Sequence, residues 1–355
     1  MKKGIFIVLL CFFILSGCKS KAEIKDLSIV DALGIDMEED GTVNLTFQFY
    51  KAPSGDAKDE GKVEYYEASG ETVRDALINA EILGNKKIYM SHNNIIIVGE
   101  ETARMGFSKF TDAFERSRDI RENVIVVISD GKASEVMKTE KESNEGGQNE
   151  SLKKMILNYK DNTKAYKITL LEICENLKNE SRDFFVPIIK KGDSKKIKTE
   201  GIALFKEDKM VGKLSEGESF GIIFLRSKGT QGIVIVENPL GQEGEISLDF
   251  IKTKTKIKKE NDKIKIQVQS SGRIWETTAN IDFTDIKILE KLEEEFENKI
   301  KDMIKTAIEK ATFSAGSDIL GVKEKLNIND ISKAVFEYDI KVNIVGYGLI
   351  ADKAA

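Results

Sequence analysis

Histidine is almost absent from this 355-residue chain; His92 is the single one. Multi-histidine metal sites are therefore excluded by count, and a histidine-based triad has only that position to use. His92 lies in Ser91-His92-Asn93-Asn94, just ahead of an apolar stretch, and reads as a capping or turn residue rather than a functional one. Phosphate-cradling loops of the G-x-x-x-x-G-K-[ST] or G-x-G-x-x-G kind are missing too. No Lys/Arg block stands apart from the acids, which leaves nucleic-acid binding without support. Beyond the N-terminus, no apolar run reaches the roughly 18 residues that mark a spanning helix. What is present is 41% hydrophobic and 32% charged residues, the composition of globular material.

The N-terminus carries the sharpest motif. Lys2 and Lys3 are followed by the apolar run 5–15 and then by Ser16-Gly17-Cys18. Such a run is too short for a hydrocarbon core of about 30 Å. It suits the central region of a secretory signal. Leu15-Ser16-Gly17-Cys18 resembles the bacterial lipobox: an aliphatic residue, two small residues, then a thiol that takes up diacylglyceryl. Residues 1–17 are read as a lipoprotein signal peptide, Cys18 as the S-diacylglyceryl lipidation site, and 18–26 as a tether. Lipid contributes about 0.8 kcal/mol per buried methylene, so two chains anchor stably where one is marginal.

Cysteine is scarce as well. Of three, Cys11 leaves with the signal and Cys18 is lipidated, so Cys174 has no partner for a disulfide. Cys174 sits in a helical pattern (LLEICENL) and is read as a small core residue, not a nucleophile. Removing Lys2 and Lys3 from 55 basic residues leaves 53 against 60 acidic ones, a mature net charge of −7. Acidic runs such as Glu38-Glu39, Glu100-Glu101 and Glu293-Glu294-Glu295 are read as solvated faces, since none shows surroundings that would tune an acid/base pair. No catalytic constellation emerges, and neither cofactor nor metal is expected. The sequence assigns no ligand-binding residue.

Periodicity divides the rest of the chain into strands and helices. Residues 29–34 and 44–50 read as strands around the turn Glu38-Glu39-Asp40-Gly41, and 53–61 as a loop. Helical spacing over 72–83 ends at Gly84-Asn85, a left-handed cap. Residues 94–98 and 123–129 read as buried strands flanking one helix with Phe107, Phe110 and Phe114. The polar stretch 139–150 is the best linker candidate and the best place to split the N-terminal region. Helical stretches are expected at 152–159 and 166–177, followed by the apolar segment 184–189 and a basic boundary loop at 190–198.

In the second half, 202–205 and 210–211 read as a hairpin turning at Glu207-Asp208, with a helix at 215–225 and a strand at 233–236. Longer strands follow at 246–257 and 264–268. Trp275 is read as packing on its strand rather than as an exposed binding aromatic. A long amphipathic helix spans 286–312, with Thr284 and Asp285 as capping candidates. Its apolar residues Leu289, Leu292, Phe296, Ile300, Met303, Ala307 and Ala311 follow the α-helical period, which argues for docking on a sheet over a coiled coil. Residues 336–349 should close that sheet. The expected class is α+β: several domains of mixed, mostly antiparallel sheets, each covered by helices. Residues 27–195 form an N-terminal α/β region and 197–355 a C-terminal domain.

Taken in order, these segments resemble the Ger(x)C family, the lipoprotein C-subunits of spore germinant receptors. The pieces are Leu15-Ser16-Gly17-Cys18, Gly34-Ile35-Asp36, Thr72-Val73-Arg74-Asp75-Ala76, and Ile95-Ile96-Ile97-Val98-Gly99-Glu100-Glu101. Arg116-Ser117-Arg118-Asp119-Ile120-Arg121, Gly201-Ile202-Ala203-Leu204-Phe205-Lys206 and Ser317-Asp318-Ile319-Leu320-Gly321 complete the set. The resemblance implies a non-enzymatic subunit anchored on the extracytoplasmic side of the spore inner membrane through Cys18. It also implies two integral membrane germinant-receptor subunits as partners. Residues 321–333 lack the Pro and Trp that the family pattern leads one to expect there. The alternative from another class is a solute-binding lipoprotein of a transporter, which would need two doubly wound lobes around a cleft.

Overall fold

The computed structural model describes residues 26–50, 63–117, 120–143, 167–178, 183–192, 197–226, 232–328 and 330–346. Strands β1 (Leu27–Met37) and β2 (Val43–Tyr50) pair antiparallel across the turn the sequence predicts, with Gly41 at φ 91° and its N–H donating to the Glu38 carbonyl at 2.9 Å. Strand β3 (Val63–Gly70), which its broken alternation hid, extends β2 antiparallel. Helix α1 (Val73–Gly84) follows; the Thr72 hydroxyl accepts from the Asp75 N–H at its start, and Asn85 takes the left-handed φ of 48° at its end. The short strand β4 (Lys87–Tyr89) then lies parallel on the first residues of β1.

Strands β5 (Ile95–Gly99) and β6 (Ile125–Ser129) are buried on both faces, which is why they read as unbroken apolar runs. Ile96 and Val98 face one core, while Ile95 and Ile97 face another beneath helix α4 (Ala133–Ser143). Between β5 and β6 lie two helices where one is expected: α2 (Glu100–Met105) and α3 (Ser108–Arg116). The break falls at Gly106, whose φ of 117° ends the first, and Phe107 is buried at the junction. Helix α4 also corrects the linker reading of 139–150, because 139–143 continue the helix. Glu and Lys are good helix formers, and the buried Thr139 hydroxyl bonds the Glu135 carbonyl one turn back. The expected helices at 152–159 and the loop at 53–61 fall outside the described residues. Helix α5 (Leu170–Lys178) begins later than the expected 166, because Thr169 bridges to Ile125 in extended form.

The sheet runs across the boundary placed between 195 and 197. Strand β7 (Phe185–Lys191) joins β6 in parallel, and β8 (Ile197–Lys206) and β9 (Lys209–Ser215) add to it antiparallel. The described strands form a nine-stranded mixed sheet of order β3-β2-β1-β5-β6-β7-β8-β9 with β4 on β1. Alternation along β7 ties two cores together. Phe184, just before it, packs into the core of the first half, whereas Phe185 belongs to the core of the second.

That second core lies under helix α6 (Glu216–Arg226) and the long helix α7 (Ile286–Ile308), against a four-stranded sheet. The sheet runs β10 (Ile233–Glu237), β11 (Glu245–Glu260), β12 (Lys263–Thr277) and β13 (Val335–Gly346), with β13 parallel to β12. The Asp285 carboxylate caps α7, and Leu292, Phe296, Ile300, Ile304 and Ala307 are its buried stripe. The helix expected to reach 312 changes at 309–314 into a π-helical turn. The wider turn carries Ser317 and Asp318 back to the first sheet. Where α6 crosses α7, a Cβ at Gly221 would stand 2.5 Å from the Met303 carbonyl oxygen. Gly221→Ala is expected to cost about 2–3 kcal/mol by forcing the two helices apart. A lowered urea midpoint measures it, and an unchanged midpoint would mean that the helices do not meet there.

Candidate functional site

Cys18, the site residue the sequence singles out, lies outside the described residues, as do the signal segment and Arg118-Asp119. Apart from Thr72-Val73-Arg74-Asp75-Ala76, which start α1, the other described motif segments contribute to three framework clusters. In the first, the Asp36 carboxylate accepts the N–H groups of Ala133 (2.8 Å) and Ser134 (3.0 Å), capping α4 from the end of β1. Gly34 and Gly99 flank this cap because larger residues would strike Met137 and the Asp36 carboxylate. Glu100 accepts from Arg104 at 2.7 Å and is also bonded by Lys213. Lys213 reaches Asp130 as well, at 2.8 Å, and holds that carboxyl below its ordinary range.

The second cluster joins the two halves. Asp183 is buried just ahead of β7 and accepts the N–H of Glu207 (3.0 Å) and of Asp318 (2.6 Å). The Ser317 hydroxyl donates to the Phe205 carbonyl at 2.5 Å. Asp318, itself buried, accepts from Val322 (2.9 Å) and Lys323 (2.8 Å), starting the short helix 322–326. Burial pushes the Asp318 carboxyl up, against the pull of those two N–H groups. Arg226 closes the cluster: it donates to the Ile319 carbonyl at 2.8 Å and sits 5.5 Å above the Phe185 ring. Sequence reasoning missed Asp183. Its signal was an acid set directly against the apolar run Phe184-Phe185-Val186.

The third feature is a cleft of about 410 Å³ between α3 and α5, lined by Arg116, Ser117, Ile120 and Cys174. Its charged walls are paired: Glu115 meets Lys178 at 2.7 Å and Asp112 meets Arg116 at 2.9 Å. Cys174 is 6% exposed, as a core residue should be. Burial, aided by the Glu115 charge, pushes its thiol up to about 12. Only thiolate alkylates, so native Cys174 should react at least about 100-fold more slowly than after unfolding. Equal rates in native and unfolded protein would contradict the packing described.

The remaining candidates occupy ordinary places. His92 lies in a turn, exposed, with its ring 5.8 Å from that of Tyr89. The acidic run on α7 is not simply solvated: Glu293 accepts the Ile344 N–H at 2.7 Å and Glu295 the Leu240 N–H at 2.9 Å. With Glu297 accepting from Val342, Glu293 and Glu297 satisfy N–H groups along β13 that its parallel ladder leaves free. Trp275 does not pack on its strand; it is 66% exposed. Plain alternation explains its position: Ile264, Ile266, Val268 and Ile274 face the core, so Trp275 falls on the outer face of β12. Among the described residues, no group of three or more His, Cys, Asp or Glu side chains could hold a metal ion. No described helix is long and apolar enough to cross a membrane.

Two helix-backed mixed sheets, joined by a strand that feeds both cores, define a multi-domain α+β protein whose motif residues are framework. The family comparison is specific. The spore germination protein N-terminal domain matches residues 20–191, and the spore germination B3/GerAC-like C-terminal domain matches 200–348. The chain belongs to the Ger(x)C family of spore germination proteins. It is 26% identical over 332 residues to spore germination protein GerQC of Bacillus cereus, covering 90% of each chain. It is 24% identical over 362 residues to spore germination protein B3 of Bacillus subtilis (strain 168), covering 95% of each. The crystal structure of the GerBC protein shares the fold, with a TM-score of 0.56 at 21% identity over 88% of this chain and 96% of that one. The two family regions meet between 191 and 200, where β7 turns into β8 within one continuous sheet.

Proposed function

We propose that this chain is the lipid-anchored C-subunit of a nutrient germinant receptor, acting with two integral membrane subunits to trigger spore germination. It is held to the spore inner membrane through diacylglyceryl on Cys18, faces the extracytoplasmic side, and performs no catalysis. The observation that carries this reading is one of order: a lipobox at 15–18 stands directly ahead of a family match that begins at 20 and continues, with one short gap, to 348. The framework roles of the motif residues favour assembly over chemistry. Asp36, Asp183 and Asp318 spend their carboxylates on backbone N–H groups.

Deletion of the chain tests the reading. Spores without it should lose the response to one class of nutrient and keep the response to a non-nutrient trigger. Unchanged nutrient germination, together with loss of uptake of a solute, would instead favour the transporter-lipoprotein alternative.

A further inference from the structure

We infer that the C-terminal end of α1 and the start of β4 lie against the bilayer, with Ile82 and Leu83 entering the interface and Lys86 and Lys87 meeting anionic headgroups. The inference rests on the lipid anchor at Cys18 proposed above and adds to it a second, non-covalent contact. It starts from exposure. Ile82 and Leu83 are 71% and 69% exposed, consecutive at the last turn of a helix, with Ile78 one turn back also open to solvent. A soluble helix normally keeps such residues on its packed stripe, which here is Val73, Ala76 and Ala80.

Topology then places them. Strands β1 and β3 are both antiparallel to β2, so they run in the same direction and begin at the same edge of the sheet. Helix α1 carries the chain from the end of β3 back to that edge; its twelve residues rise about 18 Å. The return is fixed by β4, which pairs in parallel with the first residues of β1, Lys87 opposite Leu27. Ile82, Leu83, Lys86 and Lys87 therefore gather where β1 begins. Eight Cα-to-Cα steps separate Cys18 from Asp26, a reach of at most about 28 Å even when fully extended. A lipid on Cys18 holds this edge within that distance of the membrane.

Charge agrees with a lipid surface as the occupant. Lys86 and Lys87 are exposed beside the apolar pair, and the tether sequence adds Lys19, Lys21 and Lys25 against Glu23 and Asp26. The nearest acid on the helix, Glu81, is occupied by the Ile88 N–H at 3.2 Å. Apolar side chains rimmed by lysine suit an anionic interface, where lipid-borne negative charge attracts basic residues.

The test uses the full lipidated chain carrying Leu83→Cys with an environment-sensitive fluorophore, in vesicles of phosphatidylcholine with or without phosphatidylglycerol. A second sample carries the label at Lys333→Cys, an exposed control site. Flotation reports the anchor; quenching by spin-labelled lipid reports the face. The expected result is flotation with strong quenching at 83, phosphatidylglycerol-dependent and reduced about tenfold by Ile82→Glu with Lys86→Glu, and little quenching at 333. Flotation with equal, weak quenching at both sites would overturn the face and leave the anchor standing. Failure to float would overturn the anchor. The unlipidated chain mixed with phosphatidylglycerol vesicles then decides the face by the same quenching. Loss of lipid quenching at 83 when the two membrane subunits are co-reconstituted would show that a protein covers this face, and would also overturn the inference.

Discussion

Replacing Cys18 with Ala should release the protein from the spore membrane and abolish nutrient-triggered germination, without altering the fold. The size of the effect follows from the anchor. At about 0.8 kcal/mol per buried methylene, two acyl chains on Cys18 would hold the protein stably, and a side chain without a thiol would receive neither. The apolar pair Ile82 and Leu83 cannot substitute. Even fully buried they would contribute about 1.5–3 kcal/mol each, a weak and reversible association. Fold and stability should be untouched, because the described contacts of both sheets begin at residue 26 or later. Fractionation of the spores, an immunoblot and a germination assay measure all of this together. Normal germination by spores whose protein is no longer on the membrane would make the anchor dispensable.

The second large effect is expected at Asp183. Asp183→Ala leaves the buried N–H of Asp318 and the partly buried N–H of Glu207 without their acceptor, at about 1–3 kcal/mol for each. The loss should total about 3–5 kcal/mol, large against the 5–15 kcal/mol by which proteins are stable. Asp183→Asn should cost less, since an amide oxygen still accepts. It should also lower the Asp318 pKa by removing a neighbouring negative charge. Asp318 carries a pH dependence of its own. Its folded pKa lies above the ordinary 3.8, so its contribution is most favourable below that pH and is lost as pH rises through the raised value. Asp130 behaves oppositely: its pKa is lowered by Lys213, so its contribution is present above 3.8 and lost as pH falls. Urea unfolding of Asp183→Ala checks the main prediction, and a shift below about 1 kcal/mol would contradict the role assigned to this carboxylate.

Local signals in the sequence led to local structure. The hairpin at 38–41, the left-handed cap at Asn85 and the turn at Glu207-Asp208 were legible because each depends on a few adjacent residues. The stripe on α7 was legible because its period is long and regular. What was hidden depended on partners distant in sequence. Strand β3 (VEYYEASG) has little apolar alternation, because only Ala68 faces the core closely. The helix through 139–143 is started by Asp36, almost a hundred residues earlier, and no local pattern carries that cap. Trp275 was misplaced because the expected strand stopped at 268, whereas β12 runs on to Thr277 and its alternation turns Trp275 outward. The continuity of the first sheet across residues 191–197 was invisible for a similar reason: a basic connection reads as a boundary whether or not its flanking strands pair.

The candidate site was legible only in part. The lipobox points to Cys18, which lies outside the described residues. The motif segments led to the family, but their roles did not follow from it. Gly34 and Gly99 make room for neighbours, and Asp36 and Asp318 collect backbone N–H groups. Those roles appear only when β1 meets α4 and when the π-helical turn after α7 returns to β7.

The central claim is that the chain works as one of three receptor subunits. Affinity purification of the tagged chain from gently solubilised spore membranes tests it most directly. Two multi-span membrane proteins should co-purify with it in comparable amounts. Recovery of the chain alone, or with the permease and ATPase of a transporter, would contradict it.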